Sequence, residues 1–351
     1  MLIEKGKISR IKNINWDVEI PFGKYYTDHM LFCEYRNDLW KEPQIQTFGN
    51  FIFFPNTLVF HYGQAIFEGM KAFKDRKNNI FLFRPLEHFK RFNISAKRLA
   101  MPVIPKKIFV EGLINLLKLD TNWIVPKYGY SLYIRPFMIA TDGTLTAKPS
   151  LNYLFFIFCT SVNKYYSRPL KVKIELKYSR SYNGGIGFIK AAGNYAASFF
   201  PTKKAQLEGF DQILWTDSAT HSIIEESGTM NVFFYIQNTL ITAPADEKIL
   251  NGISRRSIIE FSKKNNINVI EKYLTIDELK YSFKKKEVAE IFGTGTAVVI
   301  NHFEKINLKN KNYLLPILKK EERISYFLKK NLLDIQYNLN KDPYHWRFPI
   351  Q

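Results

Sequence analysis

The strongest constraint on the fold is a strict alternation of apolar and charged residues near the middle of the chain. The apolar positions are Leu170, Val172, Ile174 and Leu176, and the charged ones are Lys171, Lys173, Glu175 and Lys177. Because successive side chains of a β-strand point to opposite faces, this segment predicts a strand with one buried and one solvated face. The chain therefore contains a sheet that is covered on at least one side.

The length of 351 residues predicts two domains, because a single hydrophobic core usually stops growing at about 250–300 residues. The segment from Ser161 to Pro169 is polar and aperiodic, as interdomain connections often are. We therefore expect an N-terminal domain over residues 1–161, a connection over 162–169 and a C-terminal domain over 170–351. Helical and strand patterns occur in both halves, which favours an α+β fold class.

Apolar periodicity places the individual elements. Helices are expected over residues 86–99, 106–119, 254–265, 275–282 and 321–335. Strands are expected within residues 51–60, 64–73, 129–140, 151–159, 170–177, 211–217, 231–236, 239–242 and 287–292. Another helix follows Tyr195, where Pro201 should kink it or delay its start and Gly209 should end it.

The formal charge of +19 is compatible with a nucleic-acid-binding protein, which would be retained on DNA or RNA in a salt-sensitive way. The lysines are scattered instead of gathered on one element, so we favour a solvated basic surface and expect neither a nucleic-acid nor a membrane partner. The longest apolar runs, such as Tyr153–Cys159, are too short to span a bilayer.

The numbers and spacing of the cysteines and histidines indicate the cellular compartment and whether a metal site is expected. Cys33 and Cys159 are too few and too far apart for a disulfide framework or a zinc site, which favours reduced thiols in the cytoplasm. The charged start of the chain predicts no signal peptide. Six histidines occur without a metal-binding spacing, so we expect no metal.

Lys190 is the candidate reactive residue. It lies in the segment from Gly187 to Tyr195 and is followed by the small residues Ala191, Ala192 and Gly193. A lysine amine that loses its proton can attack an aldehyde and form a Schiff base, and small neighbours leave room for a bulky ring. A surface lysine without a chemical role is the alternative interpretation.

Six segments together carry a resemblance to a known family. They are Thr27–Met30, His61–Phe73, Arg84–Leu99, Tyr133–Pro136, Lys190–Asn231 and Gly293–Ala297. In this order and spacing they strongly resemble the branched-chain amino acid aminotransferases, which belong to the fold-type IV pyridoxal-phosphate enzymes. The resemblance implies a smaller N-terminal α/β domain, a larger strand-rich C-terminal domain that carries the Schiff-base lysine, and a homodimer.

The resemblance also implies roles for single residues around pyridoxal 5'-phosphate. Lys190 matches the Schiff-base lysine and proton carrier, and Glu226 matches the acid at the pyridine nitrogen, with Glu225 as the competing candidate. The other cofactor-binding positions are Tyr195 at the ring hydroxyl, and Arg91, Ile253, Ser254 and Thr296 at the phosphate.

Substrate contacts follow from the same resemblance. The matching positions are Tyr62, Phe67, Tyr133, Arg135, Thr229 and Ala297, and Phe22 is a further candidate. The implied reaction moves the amino group of L-leucine, L-isoleucine or L-valine to 2-oxoglutarate, giving glutamate. Two other fold-type IV activities remain as alternatives, those of a D-amino acid aminotransferase and of an aminodeoxychorismate lyase. Tyr62, Phe67 and the segment Tyr133–Arg135 favour the branched-chain type.

Overall fold

The structure is a computed structural model that describes residues 1–3, 9–16, 18–163 and 168–350. Residues 164–167 of the predicted connection lie outside the described part of the chain. The chain forms two compact units: Met1–Tyr165, Ile189–Gly193 and Asp334–Gln351 make up the first, and Tyr166–Phe188 and Asn194–Leu333 make up the second.

The change between units at residues 165 and 166 falls within the predicted connection, but two later segments return to the first unit. Residues 189–193, which include Lys190, and residues 334–351 had both been assigned to the C-terminal domain by sequence. These contact-based units are not the same as the predicted domains, and the boundaries at 1–161, 162–169 and 170–351 stay a prediction.

The described residues contain the following elements. The strands are β1 (Leu2–Ile3), β2 (Tyr26–Arg36), β3 (Leu39–Trp40), β4 (Gln44–Thr47), β5 (Ala65–Phe67), β6 (Met70–Lys74), β7 (Ile80–Phe83), β8 (Ser131–Ala140), β9 (Tyr153–Val162), β10 (Leu170–Ile174), β11 (Gln212–Thr216), β12 (Ile223–Ser227), β13 (Asn231–Ile236), β14 (Thr239–Thr242), β15 (Val269–Glu271), β16 (Leu274–Thr275), β17 (Val288–Gly295), β18 (Val299–Leu308), β19 (Lys311–Leu314) and β20 (Arg347–Ile350). The α-helices are α1 (Val59–Tyr62), α2 (Pro85–Arg98), α3 (Gly112–Leu119), α4 (Ala192–Leu207), α5 (Ile253–Lys264), α6 (Ile276–Lys284) and α7 (Ile324–Gln336). Shorter turns of 3-10 helix lie at Arg10–Asn13, Thr121–Trp123 and Lys320–Glu322, and a π-helical turn at Lys107–Glu111 leads into α3.

The first unit is built on a sheet of ten strands, counted over the described residues. Its order is β1-β4-β2-β9-β8-β6-β7-β20, with β3 beside β2 and β5 beside β8. The core forms where α2 and α3 cover one sheet face, so that Phe92 and Leu113 join Leu31, Ile134 and Ile157 in one buried cluster. The sheet thus supplies a rigid support for the helix that carries Arg91.

The second unit has its own ten-stranded sheet within the described part of the chain, in the order β15-β14-β13-β17-β18-β10-β11-β12-β16 with β19 beside β18. The predicted alternation is confirmed over β10, where Leu170, Val172 and Ile174 are buried and the intervening lysines are not. The strand ends at Ile174, and beyond it the alternation fails, because Glu175 is buried. The α+β fold class is confirmed as well, since helices and strands are mixed throughout. Both sheets have ten described strands, so the number of strands does not distinguish the units.

Most predicted elements occur within a few residues of their expected bounds, but residues 51–60 are an exception. No strand lies there, and Val59–Tyr62 is a helical turn. Within residues 51–60, Ile52 is 98% and Phe54 78% exposed, Phe51 and Phe53 are half-buried, and Leu58 is buried, so most of this apolar run lies at a surface and not in a buried strand. The helix after Lys190 begins before Tyr195 and continues through Pro201.

None of the helices in the described part of the chain combines the length and apolar character that crossing a bilayer requires.

Candidate active site

The backbone of Lys190 is held within the first unit from two sides. The Phe67 N–H donates to the Lys190 carbonyl at 3.0 Å, and Ile66 pairs with Ala191 in an isolated antiparallel bridge. On the other side, the Lys190 N–H donates to Ser95 Oγ at 3.1 Å. The backbone of the lysine is therefore fixed between β5 and α2 by these hydrogen bonds.

The Lys190 side chain lies against an aromatic ring. Its Nζ is 4.8 Å from the centroid of Phe67, and the guanidinium carbon of Arg135 is also 4.8 Å from that centroid. Cations are attracted to the electron-rich faces of aromatic rings at such distances. The structure thus brings together Lys190, Phe67 and Arg135, three of the residues selected from the sequence.

Arg135 reaches Tyr133 along the same face of β8. Its Nη2 donates to Tyr133 Oη at 3.3 Å, and Phe22 packs edge-on against the Tyr133 ring at 4.9 Å. Glycine at position 69 leaves the room that the Tyr133 phenol occupies, since a Cβ there would lie 1.9 Å from Tyr133 Oη. Among the described residues, Arg135 Nε is buried without a hydrogen-bond partner. A buried guanidinium donor of this kind suits a carboxylate ligand.

Arg91 is buried on α2 beside a carboxylate that sequence reasoning did not select. Its Nε and Nη2 donate to Glu68 at 2.6 and 3.0 Å, and His88 Nδ1 lies 2.7 Å from Glu68 Oε2. Burial alone would raise the pKa of Glu68, but the Arg91 charge and the hydrogen bonds outweigh it and hold that pKa below its usual range. Glu68 is therefore ionised at neutral pH.

Tyr62 lies at the surface of the first unit, in α1. Its side chain is 46% exposed, and its hydroxyl donates to the Leu145 carbonyl. Nothing in these contacts joins it to Phe67 or Arg135, so its substrate role remains a prediction from the resemblance.

In the second unit, Glu226 is buried on β12 among strong donors. Arg180 Nη1 lies 2.8 Å from Glu226 Oε2, while Asn231 Nδ2 and the Leu250 N–H donate to Oε1 at 2.8 and 3.2 Å. A buried carboxylate that meets a guanidinium and two N–H donors has the partners it needs to stay ionised. Glu226 can therefore present negative charge to a protonated nitrogen.

Glu225 precedes Glu226 on the same strand, but its surroundings differ. Its nearest cation is Lys248, with Nζ 3.5 Å from Oε1, and Ser181 Oγ lies 3.4 Å from Oε2. Burial is the largest effect and raises the pKa of Glu225 to about 7, against the opposing charge of Lys248. Glu225 is thus partly protonated near neutral pH.

Helix α5 offers backbone N–H groups at its start, where Ile253 is buried and Ser254 half-buried. Gly252 is the N-cap, and a Cβ there would lie 2.0 Å from Asn231 Oδ1, so only glycine fits beside that amide. Asn231 Nδ2 also donates to the Leu250 carbonyl at 2.9 Å. The amide therefore ties Glu226 to the turn that opens α5. Backbone N–H groups at a helix start favour anions.

The remaining predicted residues of the second unit lie at one end of its sheet or on α4. Thr229 is exposed in the turn before β13, and Thr296 and Ala297 are half-buried in the turn between β17 and β18. These turns are neighbours because Asn231 pairs with Thr294. Tyr195 is half-buried in the first turn of α4.

Four contributors were missed by sequence reasoning: Glu68, Ser95, Arg180 and Asn231. One sequence signal was available for Ser95 and for the partners of Glu68. His88, Arg91 and Ser95 recur at helical spacing and form a polar stripe on the otherwise apolar face of α2. Within the described ranges, no group of three or more His, Cys, Asp or Glu side chains is arranged to hold a metal ion.

Comparisons with known proteins agree on one family. Residues 65–306 match the family described as amino-transferase class IV. The chain is 37% identical to the branched-chain-amino-acid transaminase 1 of Bacillus subtilis (strain 168) over 99% of both chains. It is 43% identical to a probable branched-chain-amino-acid aminotransferase of Staphylococcus aureus (strain N315), over 81% of this chain and 80% of the relative. Its fold is similar to a branched-chain aminotransferase of Thermoproteus uzoniensis solved with norvaline, at 18% identity and a TM-score of 0.74, over 92% of this chain and 100% of that one.

Proposed function

Because this chain belongs to the amino-transferase class IV family, we propose that it is a pyridoxal 5'-phosphate-dependent aminotransferase acting on branched-chain L-amino acids. It would transfer the amino group of L-leucine, L-isoleucine or L-valine reversibly to 2-oxoglutarate. The observation that carries the proposal is the placement of Lys190 Nζ and the Arg135 guanidinium at the same Phe67 ring in the first unit. An amine and a carboxylate-binding cation beside an apolar surface are what an aliphatic amino acid substrate requires.

The donor groups of this chain fit the chemical groups of the cofactor. An aldehyde needs a primary amine, which Lys190 supplies, and a pyridine nitrogen needs an acid, for which the buried Glu226 is suited by its Arg180 and Asn231 partners. A phosphate needs N–H donors, which Arg91 and the start of α5 at Ile253 and Ser254 provide. Thr296 would add a hydroxyl and Tyr195 a donor to the ring oxygen.

When bound, pyridoxal 5'-phosphate supplies an electron-withdrawing ring that stabilises negative charge at the substrate Cα. The chain's own residues do the rest. Lys190 Nζ would take the proton from the substrate Cα and deliver it to the cofactor carbon C4′, because its backbone is fixed while its four-carbon side chain can reach both atoms. Glu226 would hold a proton at the ring nitrogen through its negative charge.

Substrate selection would fall to residues of the first unit. Phe67, Tyr133 and Phe22 offer an apolar wall for a branched aliphatic side chain, and the buried Nε of Arg135 offers a donor to the substrate carboxylate. Tyr62, Thr229 and Ala297 are proposed to contribute as well, on the strength of the family resemblance.

We propose a homodimer on the basis of the apolar surface of residues 51–60. Ile52 is 98%, Phe54 78% and Phe60 61% exposed. The Phe53 ring contacts the rings of Phe51 and Phe60. Clustered exposed apolar groups mark interaction sites more often than isolated ones do. A second copy of the chain is the proposed occupant, because self-complementary twofold interfaces are the commonest in soluble enzymes.

The dimer is tested by sedimentation of the holoenzyme. Phe54→Lys should shift the protein toward monomer, whereas Ile317→Lys, at a position exposed by 99% in the second unit, should leave the dimer unchanged. A monomeric unmodified protein would contradict the assembly. We also propose a cytoplasmic location, in which the free thiols of Cys33 and Cys159, both buried, stay reduced.

The activity is tested with a panel of amino donors and 2-oxoglutarate. We expect turnover of L-leucine, L-isoleucine and L-valine, and loss of at least about 1000-fold in Lys190→Ala, since the base and the covalent attachment are both removed. Lys203→Ala, an exposed lysine on α4, is the matched control and should retain full activity. Activity confined to D-alanine, or pyruvate release from aminodeoxychorismate, would contradict the proposal.

A further inference from the structure

Among the described residues of the first unit, the most completely buried acid lies between β5 and β6. The Glu68 side chain is 0% exposed, and its backbone N–H donates to the Pro136 carbonyl at 2.8 Å. Its carboxylate accepts hydrogen bonds from Arg91, from His88 and from the Gly69 N–H at 3.0 Å. Removing a carboxylate from water is costly unless it is fully hydrogen-bonded. The hydrogen bonds around Glu68 therefore stabilise its ionised form in the buried position.

The hydrogen bonds from Arg91 to Glu68 fix the orientation of the guanidinium. Nε and Nη2 donate to different oxygens of the carboxylate. This bidentate arrangement fixes the orientation of the guanidinium plane. The arginine and the carboxylate together carry no net charge. Any anion that Arg91 binds is therefore recognised through directed N–H groups more than through an excess of positive charge.

The same stripe of α2 continues to Lys190. Ser95 lies one turn beyond Arg91, and its hydroxyl donates to the Arg91 carbonyl at 3.1 Å and accepts the Lys190 N–H at 3.1 Å. One helix thus holds both the backbone of the reactive lysine and the side chain of the buried arginine. Orienting both groups before a ligand arrives lowers the entropy lost on binding.

We propose that Glu68 is a positioning residue that sets the Arg91 guanidinium for the phosphate of pyridoxal 5'-phosphate. The proposal rests on the proposed function, because it needs Arg91 to bind that phosphate. A purely structural ion pair would stabilise the first unit without affecting cofactor affinity. The two roles therefore differ in a property that can be measured apart from catalysis.

The test is a double-mutant cycle on the equilibrium dissociation constant of pyridoxal 5'-phosphate for the apoenzyme. Glu68→Gln keeps the size of the side chain and should weaken binding about tenfold, as expected for residues in direct contact. In an Arg91→Met background the same change should alter affinity less than about twofold, because the group it orients is gone. Glu87→Gln, which changes a carboxylate of α2 paired with Arg84, is the control and should leave affinity unchanged.

Glu68→Asp covers the case in which Glu68→Gln fails to fold. It keeps the charge but is one methylene shorter, so we expect it to fold and to weaken cofactor binding by an intermediate factor of about three. Unchanged affinity in these Glu68 variants, or equal loss with and without Arg91, would overturn the positioning role alone. If the unmodified apoenzyme does not bind pyridoxal 5'-phosphate, the proposed function falls together with it.

Discussion

Glu68 in the first unit and Glu225 in the second are both buried carboxylates beside a cation, yet their pKa values move in opposite directions. Arg91 Nε lies 2.6 Å from Glu68 and the pKa of that acid is lowered, whereas Lys248 Nζ lies 3.5 Å from Glu225 and burial raises its pKa to about 7. For these two acids, the cation that meets the carboxylate in close hydrogen-bonded geometry outweighs the effect of burial on the pKa, and the more distant one does not.

Glu226 resembles Glu68 and differs from its own neighbour. It meets Arg180 at 2.8 Å and accepts hydrogen bonds from Asn231 and the Leu250 N–H, as described above. Because adjacent residues of β12 point to opposite faces, one strand can carry two acids in different electrostatic environments. The geometry therefore favours Glu226 over Glu225 for the acid at the ring nitrogen, which remains a proposal.

The largest expected effect is on stability. Arg180→Met leaves Glu226 buried without its cation and should lower the free energy of unfolding of the apoenzyme by about 3–5 kcal/mol. Lys248→Met should cost only about 1 kcal/mol at pH 7, because Glu225 can take up a proton instead. Urea unfolding of both variants measures the difference, and equal losses would break the distinction between the two acids.

The second effect separates the same acids by catalysis. Glu226→Gln should lower kcat about 10–100-fold with the cofactor still bound, because a charge-assisted hydrogen bond is worth about 1.5–3 kcal/mol. Glu225→Gln should change kcat less than about threefold. Cofactor content is measured by absorbance in each variant, and the reverse ranking of the two variants would move the assignment to Glu225.

The smallest effect is the pH dependence that Glu225 gives to stability. Its pKa of about 7 in the folded chain exceeds the ordinary value of 4.5, so the folded state holds a proton that the unfolded chain has already released. The free energy of unfolding should therefore fall as the pH rises from about 5 to 8. In Glu225→Gln the free energy of unfolding should fall less over the same pH range. Each kcal/mol of that difference should change Tm by about 2–4 °C. Identical pH profiles for the two proteins would contradict the raised pKa.

Local patterns predicted much of this molecule, since periodicity alone placed α2, β8 and β10. It was wrong at residues 51–60, because an apolar run looks the same whether it is buried in a sheet or exposed at a surface. The return of Lys190 to the first unit was not foreseen either. It depends on pairing with Phe67, more than 100 residues earlier, and such long-range contacts leave no trace in a local pattern.

The site residues divide in the same way. Lys190, Phe67 and Arg135 were selected from motifs, and the structure brings them together in the first unit. Glu68, Arg180 and Asn231 were not selected, because their importance lies in what they hold in place. A carboxylate that binds a ligand and one that orients an arginine look alike in a sequence, and only the hydrogen bonds distinguish them.

The most direct test of the account is the site of covalent attachment. The purified holoenzyme is treated with borohydride, digested, and the peptide that carries the reduced cofactor is located by mass spectrometry. The account predicts a single modified residue, Lys190, in the segment that Phe67 and Ser95 hold. A modification at another lysine, or a protein that carries none, would contradict it.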